Sequence, residues 1–170
     1  MTDPLNNEPE RPELFQARIE TAKRAHDDAS KADLAMLPSV ISFAAEALKA
    51  AALVNGGSAA AMLAFIGTGR QPVTTDTILA LKLFGFGLLA AAIATGTSYF
   101  AQFCYHSSFQ LRTYEWHPPF VRNTRRGRAF MAAGAVFHII SVLLVLAAYA
   151  GAVYGLLSIA GTLVPRAAKA

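Results

Sequence analysis

Few residues in this chain are of a type that could do chemistry in apolar surroundings. Histidine comes first. His106 closes one apolar run, and His138 lies inside the next, about ten residues beyond Arg128. Two imidazoles on neighbouring helices can hold a haem iron. These two match poorly in depth, so no haem, metal or other cofactor is expected. An ionisable group inside a membrane segment is nevertheless a functional candidate by its placement. For His138 the expectation is a hydrogen-bonded structural role, with proton sensitivity as the alternative.

A second group is polar without being ionisable: Asn55, Ser58, Thr95, Ser98 and Gln102. Lipid cannot satisfy the Asn55 amide, so it must face another helix or water. Facing water, the set would line a pore. Facing protein, it would be packing glue, typically worth under about 2 kcal/mol per interhelical hydrogen bond. The Ser and Thr hydroxyls can also bond back to carbonyls of their own helix. Gln102 could meet His138 or Asn55 if all three share one half of a bilayer.

Arg122, Arg125, Arg126 and Arg128 cluster in "VRNTRRGR". Such a cluster fixes topology, and it can also attract anionic lipids at about 1 kcal/mol per basic residue near the surface. Nucleic-acid binding is not expected, because no aromatic platform or recognised binding module accompanies the charges. There is no Ser/His/Asp arrangement, phosphate loop, intramembrane carboxylate pair or zinc spacing, so the chain does not read as an enzyme. The single Cys104 excludes an intrachain disulfide or a thiol cluster.

The elements that must carry these residues are apolar helices. The 170 residues are 54% hydrophobic and 15% charged, where ordinary domains run near 25% charged. Mean hydropathy is +0.38. About 20 mostly apolar residues cross a bilayer, and three segments qualify: about 46–67, 79–105 and 129–160. The expected fold is an all-α integral membrane protein with three transmembrane helices and an N-terminal amphipathic helix. Residues 1–12 read as a disordered polar tail, 13–37 as a cytoplasmic amphipathic helix, 38–164 as the membrane domain and 165–170 as a short tail. The acidic start "MTDPLNNEPERPE" does not resemble a signal peptide.

Basic residues set the orientation. Five precede the first span and five lie between the second and third, against Arg70 and Lys82 in the first loop and Arg166 and Lys169 at the end. Three spans place the two rich regions together. This predicts an N-terminus inside, in the cytoplasm, and a C-terminus on the outer side of the membrane.

Local signals refine the picture. The stripe Leu14, Phe15, Ile19, Ala22, His26, Ala29 gives the N-terminal helix an apolar face, and Glu20–Arg24 and Asp27–Lys31 can pair along its surface. That face would lie on the membrane or pack on protein. Pro38 suggests a new helix start, and Glu46 and Lys49 can pair at the interface. Gly67, Gly69 and Pro72 end the first span, and Asp76 or Thr77 could cap the second. Tyr114, Trp116 and Phe120 suit the lipid headgroup layer.

Small residues recur at helical spacing: Gly56 with Ala60, Gly57 with Ala61, Gly87 with Ala91, Ala92 with Gly96, and Gly151 with Gly155, extended by Ala147. Small-xxx-small pairs let helix backbones approach. The combination of "LVNGGSAAAMLAFIG" in span one with "TSYFAQFCY" ending span two resembles a group of small uncharacterised bacterial inner-membrane proteins. The resemblance runs from about Glu13 to Leu157 and implies this topology in a bacterial inner membrane, with the N-terminus cytoplasmic and the C-terminus periplasmic; it brings no established activity. The expected function is a non-enzymatic accessory or assembly subunit, self-associating as a homo-oligomer or packing in a larger membrane complex. The rival is an oligomeric pore, holin-like or membrane-permeabilising.

Overall fold

The computed structural model describes residues 10–69 and 73–160; within the first helix the side chains at 32–37, 39, 40 and 43 are not described. Residues 1–9 of the expected 1–12 tail, 161–164 of the expected membrane domain and the whole expected 165–170 tail, with Arg166 and Lys169, lie outside the described residues, as do Arg70 and Pro72.

Among the described residues, three helices and a small ribbon follow in order. They are α1 (Pro12–Gly67), α2 (Thr75–Gln110), β1 (Arg112–Tyr114), β2 (Val121–Asn123) and α3 (Arg125–Ala160). Pro12 opens α1, where its missing N–H is no loss. Gly67 is its last residue and Gly69 takes φ +65°, the left-handed conformation that glycine accepts without strain. The cap of α2 differs from expectation. Thr74, not Asp76 or Thr77, accepts from the Thr77 backbone N–H at 3.2 Å. Asp76 instead sits in the first turn, where its charge faces the helix dipole.

The expected break at Pro38 is absent. The N-terminal helix and the first span form one helix of 56 residues, about 84 Å long at 1.5 Å per residue. Proline removes one N–H bond to the carbonyl four residues back. Here both flanking parts are fixed by packing, the earlier one on the ribbon and the later one on α2 and α3, so one lost bond does not end the helix.

Three stretches are long and apolar enough to cross a membrane: Ala44–Gly67, Thr75–Gln110 and Arg125–Ala160. The architecture is that of an all-α, three-span membrane protein. The two 36-residue helices are each about 54 Å long, well beyond the roughly 30 Å hydrocarbon layer. The first stretch finishes at the α1–α2 turn, so the surplus of α2 and α3 projects at the opposite end and carries the ribbon.

The core is built of small side chains and the surface of large ones. In α3 the residues Gly127, Gly134, Ser141, Ala148 and Gly155 are all buried, and they fall at every seventh position. In α2 the buried Ala80, Gly87, Ala94, Ala101 and Ser108 follow the same seven-residue spacing. A repeat of seven keeps one seam of a helix facing its partner through left-handed supercoiling. Small residues along both seams let the antiparallel α2–α3 pair approach closely. Outward faces carry Leu53, Phe86, Leu143 and Leu157, each more than half exposed, as lipid contact requires.

Candidate functional site

Two polar places lie within the apolar bundle. The deeper one is centred on Asn55, which is fully buried where α1, α2 and α3 meet. Its Nδ2 donates to the Ala51 carbonyl at 2.9 Å and, across the bundle, to the Ala148 carbonyl at 3.0 Å. Its Oδ1 has no hydrogen-bond partner and points at Gly87. Around it Ala51, Ala91 and Ala148 form a buried cluster. The Asn55 amide therefore ties α1 to α3 from a fully buried position.

The small residues expected at helix contacts divide into those used and those left open. Gly87, Ala91 and Gly155 are buried, and a Cβ at Gly155 would lie 2.7 Å from the Phe84 ring. A Cβ at Gly151 would lie 3.1 Å from the Leu83 carbonyl. A Cβ at Gly56 would lie 3.6 Å from Leu88. By contrast, Gly57 and Gly96 have open space before them, and Ala60, Ala61, Ala92 and Ala147 are exposed. The proposed extension through Ala147 belongs instead to Ala148, one residue on.

The second place lies nearer the ribbon. A cleft of about 150 Å³ opens between the three helices, lined by Ala44 and Leu48 of α1, Ser98 and Gln102 of α2, and His138 and Ser141 of α3. Gln102 and His138 do share one site, as their sequence positions suggested, while Asn55 belongs to the other. Ser141 donates to the Ala94 carbonyl at 3.1 Å, and its Oγ pairs with that of Ser98 at 2.5 Å. Thr95 bonds back to Ala91 and Thr97 to Ala94 of their own helix. Ser58 is half-buried and Gln102 likewise; His138 is exposed on the cleft. Neither Gln102 nor His138 has a hydrogen-bond partner among the described residues. His106 stands elsewhere, its Nε2 3.0 Å from Nε2 of Gln110. No group of three or more His, Cys, Asp or Glu that could hold a metal occurs among the described residues.

The ribbon forms a third arrangement, and sequence reading missed it. β1 and β2 pair antiparallel, Thr113 opposite Arg122, and Glu115 N–H donates to the Phe120 carbonyl at 2.8 Å. His26 of α1 docks on this turn. Its Nε2 lies 3.1 Å from the Glu115 carbonyl and 3.0 Å from the Phe120 carbonyl. Carbonyls only accept, so that nitrogen carries the proton. The imidazole meets Tyr114 and Trp116 edge-on, at 5.1 and 5.4 Å between ring centres. Arg18 donates to the Trp116 carbonyl at 2.6 Å and pairs with Glu10 at 2.7 Å. That hydrogen bond holds the Glu10 carboxyl below its ordinary pKa and raises that of Arg18. Tyr114 and Trp116 thus hold the N-terminal arm while each stays about half exposed. Arg122, Arg125, Arg126 and Arg128 remain exposed around this end.

No family model matches the chain, and no curated protein or solved structure does either.

Proposed function

We propose that this protein is a non-enzymatic accessory or assembly subunit of the bacterial inner membrane, self-associating through a small-residue helix face. The observation that carries this reading is the division of small residues within α1. The Asn55–Gly56 side packs on α2, while Gly57, Ala60, Ala61 and Ala64 stay exposed at membrane depth. A close-packing surface is thereby presented outward, where a second copy could lie against it. The α1 arm and the ribbon lock together beyond the membrane, which suits a fixed docking platform. The exposed Arg122, Arg125, Arg126 and Arg128 favour placing the ribbon end in the cytoplasm, with the C-terminus of α3 on the periplasmic side. They also supply a surface for anionic lipid.

The pore alternative has less support. It needs a continuous wet face, whereas Asn55 is buried and bonded, Ser98 and Ser141 bond each other, and Thr95 bonds its own helix.

The deciding experiment measures both properties on one preparation. Mass in detergent and nanodiscs reports self-association, and ion release from liposomes reports a pore. The expected result is a defined oligomer that Gly57→Leu weakens, in liposomes that stay tight. Steep, concentration-dependent ion release would overturn the reading. A strictly monomeric chain that brings no partner through purification would overturn it equally.

A further inference from the structure

The cleft between Ser98, Gln102 and His138 is graded along the membrane normal. On α3, His138 is followed one turn later by Val142 and two turns later by Val145 and Leu146, all lining the same space. On α2, Gln102 lies nearer the ribbon than Ser98. On α1, Leu48 lies farther from the ribbon than Ala44. The polar end therefore faces the ribbon-side surface of the membrane, and the apolar end points toward the mid-plane. A molecule seated there has its polar group outward and its hydrocarbon inward, the orientation of a lipid in that leaflet.

The available hydrogen bonds narrow the chemistry. Ser141 gives its proton to Ala94, and Ser98 pairs with Ser141, so neither hydroxyl is a free donor. The Gln102 amide and a His138 ring N–H remain, and lipid tails offer them nothing in return. Among the described residues no Lys, Arg, Asp or Glu lines the cleft, so none of them selects a charged headgroup. The cleft's volume of about 150 Å³ matches that of a cavity that holds a single six-membered ring. We infer that the cleft binds the neutral carbonyl group of a tailed membrane lipid, with Gln102 and His138 donating to the carbonyl oxygen. Two sources share that chemistry: the ring carbonyl of a lipid quinone and the ester carbonyl of a glycerolipid.

The test is a titration of the detergent-purified full chain with decylubiquinone, a benzoquinone on a short alkyl tail, and separately with dioctanoylphosphatidylcholine. Native mass spectrometry counts the bound molecules. The expected result is saturable binding of one molecule per chain for one of the two probes, which names the source. Gln102→Leu combined with His138→Leu should weaken that binding about tenfold or more, since two hydrogen bonds to the ligand are lost. Val142→Phe, which narrows the cleft and leaves both donors in place, should weaken it too. Should the paired variant fail to fold, Val142→Phe decides alone. Leu143→Ala, on the outward face at similar depth, should leave binding unchanged. Absence of saturable binding by either probe overturns the assignment. So does binding that the cleft variants leave as strong as in the natural chain.

Discussion

The side-chain carbonyl of Asn55 fills the space that a side chain on Gly87 would need. A Cβ added at Gly87 overlaps Oδ1 and lies 2.5 Å from Cγ and 2.9 Å from Nδ2. The Asn is fully buried and tied to Ala148, so it cannot swing away without losing that bond. The two residues are a matched pair, one polar side chain accommodated by one missing side chain. The Oδ1 has no hydrogen-bond donor among the described residues.

Gly87→Ala is therefore expected to destabilise the bundle by about 1–3 kcal/mol, the usual range for overpacking a filled core. In an Asn55→Ala background the obstruction is gone and the same substitution should cost much less. A double-mutant cycle from thermal unfolding in detergent reads the difference. Equal cost in both backgrounds would mean that Asn55 is not what keeps residue 87 a glycine. Asn55→Leu, with its branch at the same position, should lower stability on its own.

Glycines in this chain should not be equally sensitive. Gly155→Ala puts a methyl 2.7 Å from the Phe84 ring, in a seam where α2 and α3 already touch. Gly96→Ala meets nothing within 4 Å and restores helix propensity. The first should lower the unfolding temperature clearly, and the second should leave it unchanged or slightly raised. Similar losses at both sites would contradict the packing described for the α2–α3 seam.

These contrasts mark what the sequence could reveal. Segment length and hydropathy dictate three spans, because lipid enforces them. The small-xxx-small pairs were visible, but not which ones are used. Gly57 and Gly96 carry the same motif as Gly87 and Gly155, and only helix rotation separates them. A longer period was also present: Gly127, Gly134, Ser141, Ala148 and Gly155 recur every seven residues. That spacing identifies the seam directly, and it excludes Ala147. The docking of His26 on the ribbon had no local signal. It joins residues about ninety apart through backbone carbonyls, which no side-chain pattern announces. Pro38 misled for a related reason, since a local preference for a break is overridden by packing on both sides.

Ser141 links α3 to α2 twice, through the Ala94 carbonyl and through Ser98. Ser141→Ala leaves the helix seam small and removes both bonds. Membrane hydrogen bonds of this kind average about 0.6 kcal/mol, so the expected loss is about 0.5–1.5 kcal/mol. Ser141→Val should cost more, because the seam at this level has no room for branching. Ser98→Ala should cost less than Ser141→Ala, since the bond to Ala94 survives it. Thermal unfolding of the three variants in one detergent tests the ranking; a Ser98→Ala loss above that of Ser141→Ala would reverse the assignment of donors.

The N-terminal arm should come loose independently of the bundle. Its ties to the ribbon are His26 on two carbonyls, Arg18 on the Trp116 carbonyl, and Glu10 holding Arg18 in place. Hydrogen exchange over residues 12–31 should rise in His26→Ala and in Arg18→Ala, while exchange in the spans stays slow. Acid should act in the same direction. The Arg18 hydrogen bond depresses the Glu10 carboxyl below its ordinary pKa, so the folded arm favours the ionised form. That contribution is fully present above the ordinary carboxyl value and fades as pH falls through the depressed one. The Glu10 side chain is exposed, so the effect is small and salt weakens it further. Glu10→Gln should remove this part of the acid response and leave the His26 contacts intact. An arm that loosens in acid to the same extent with and without Glu10 would assign the pH response to other groups.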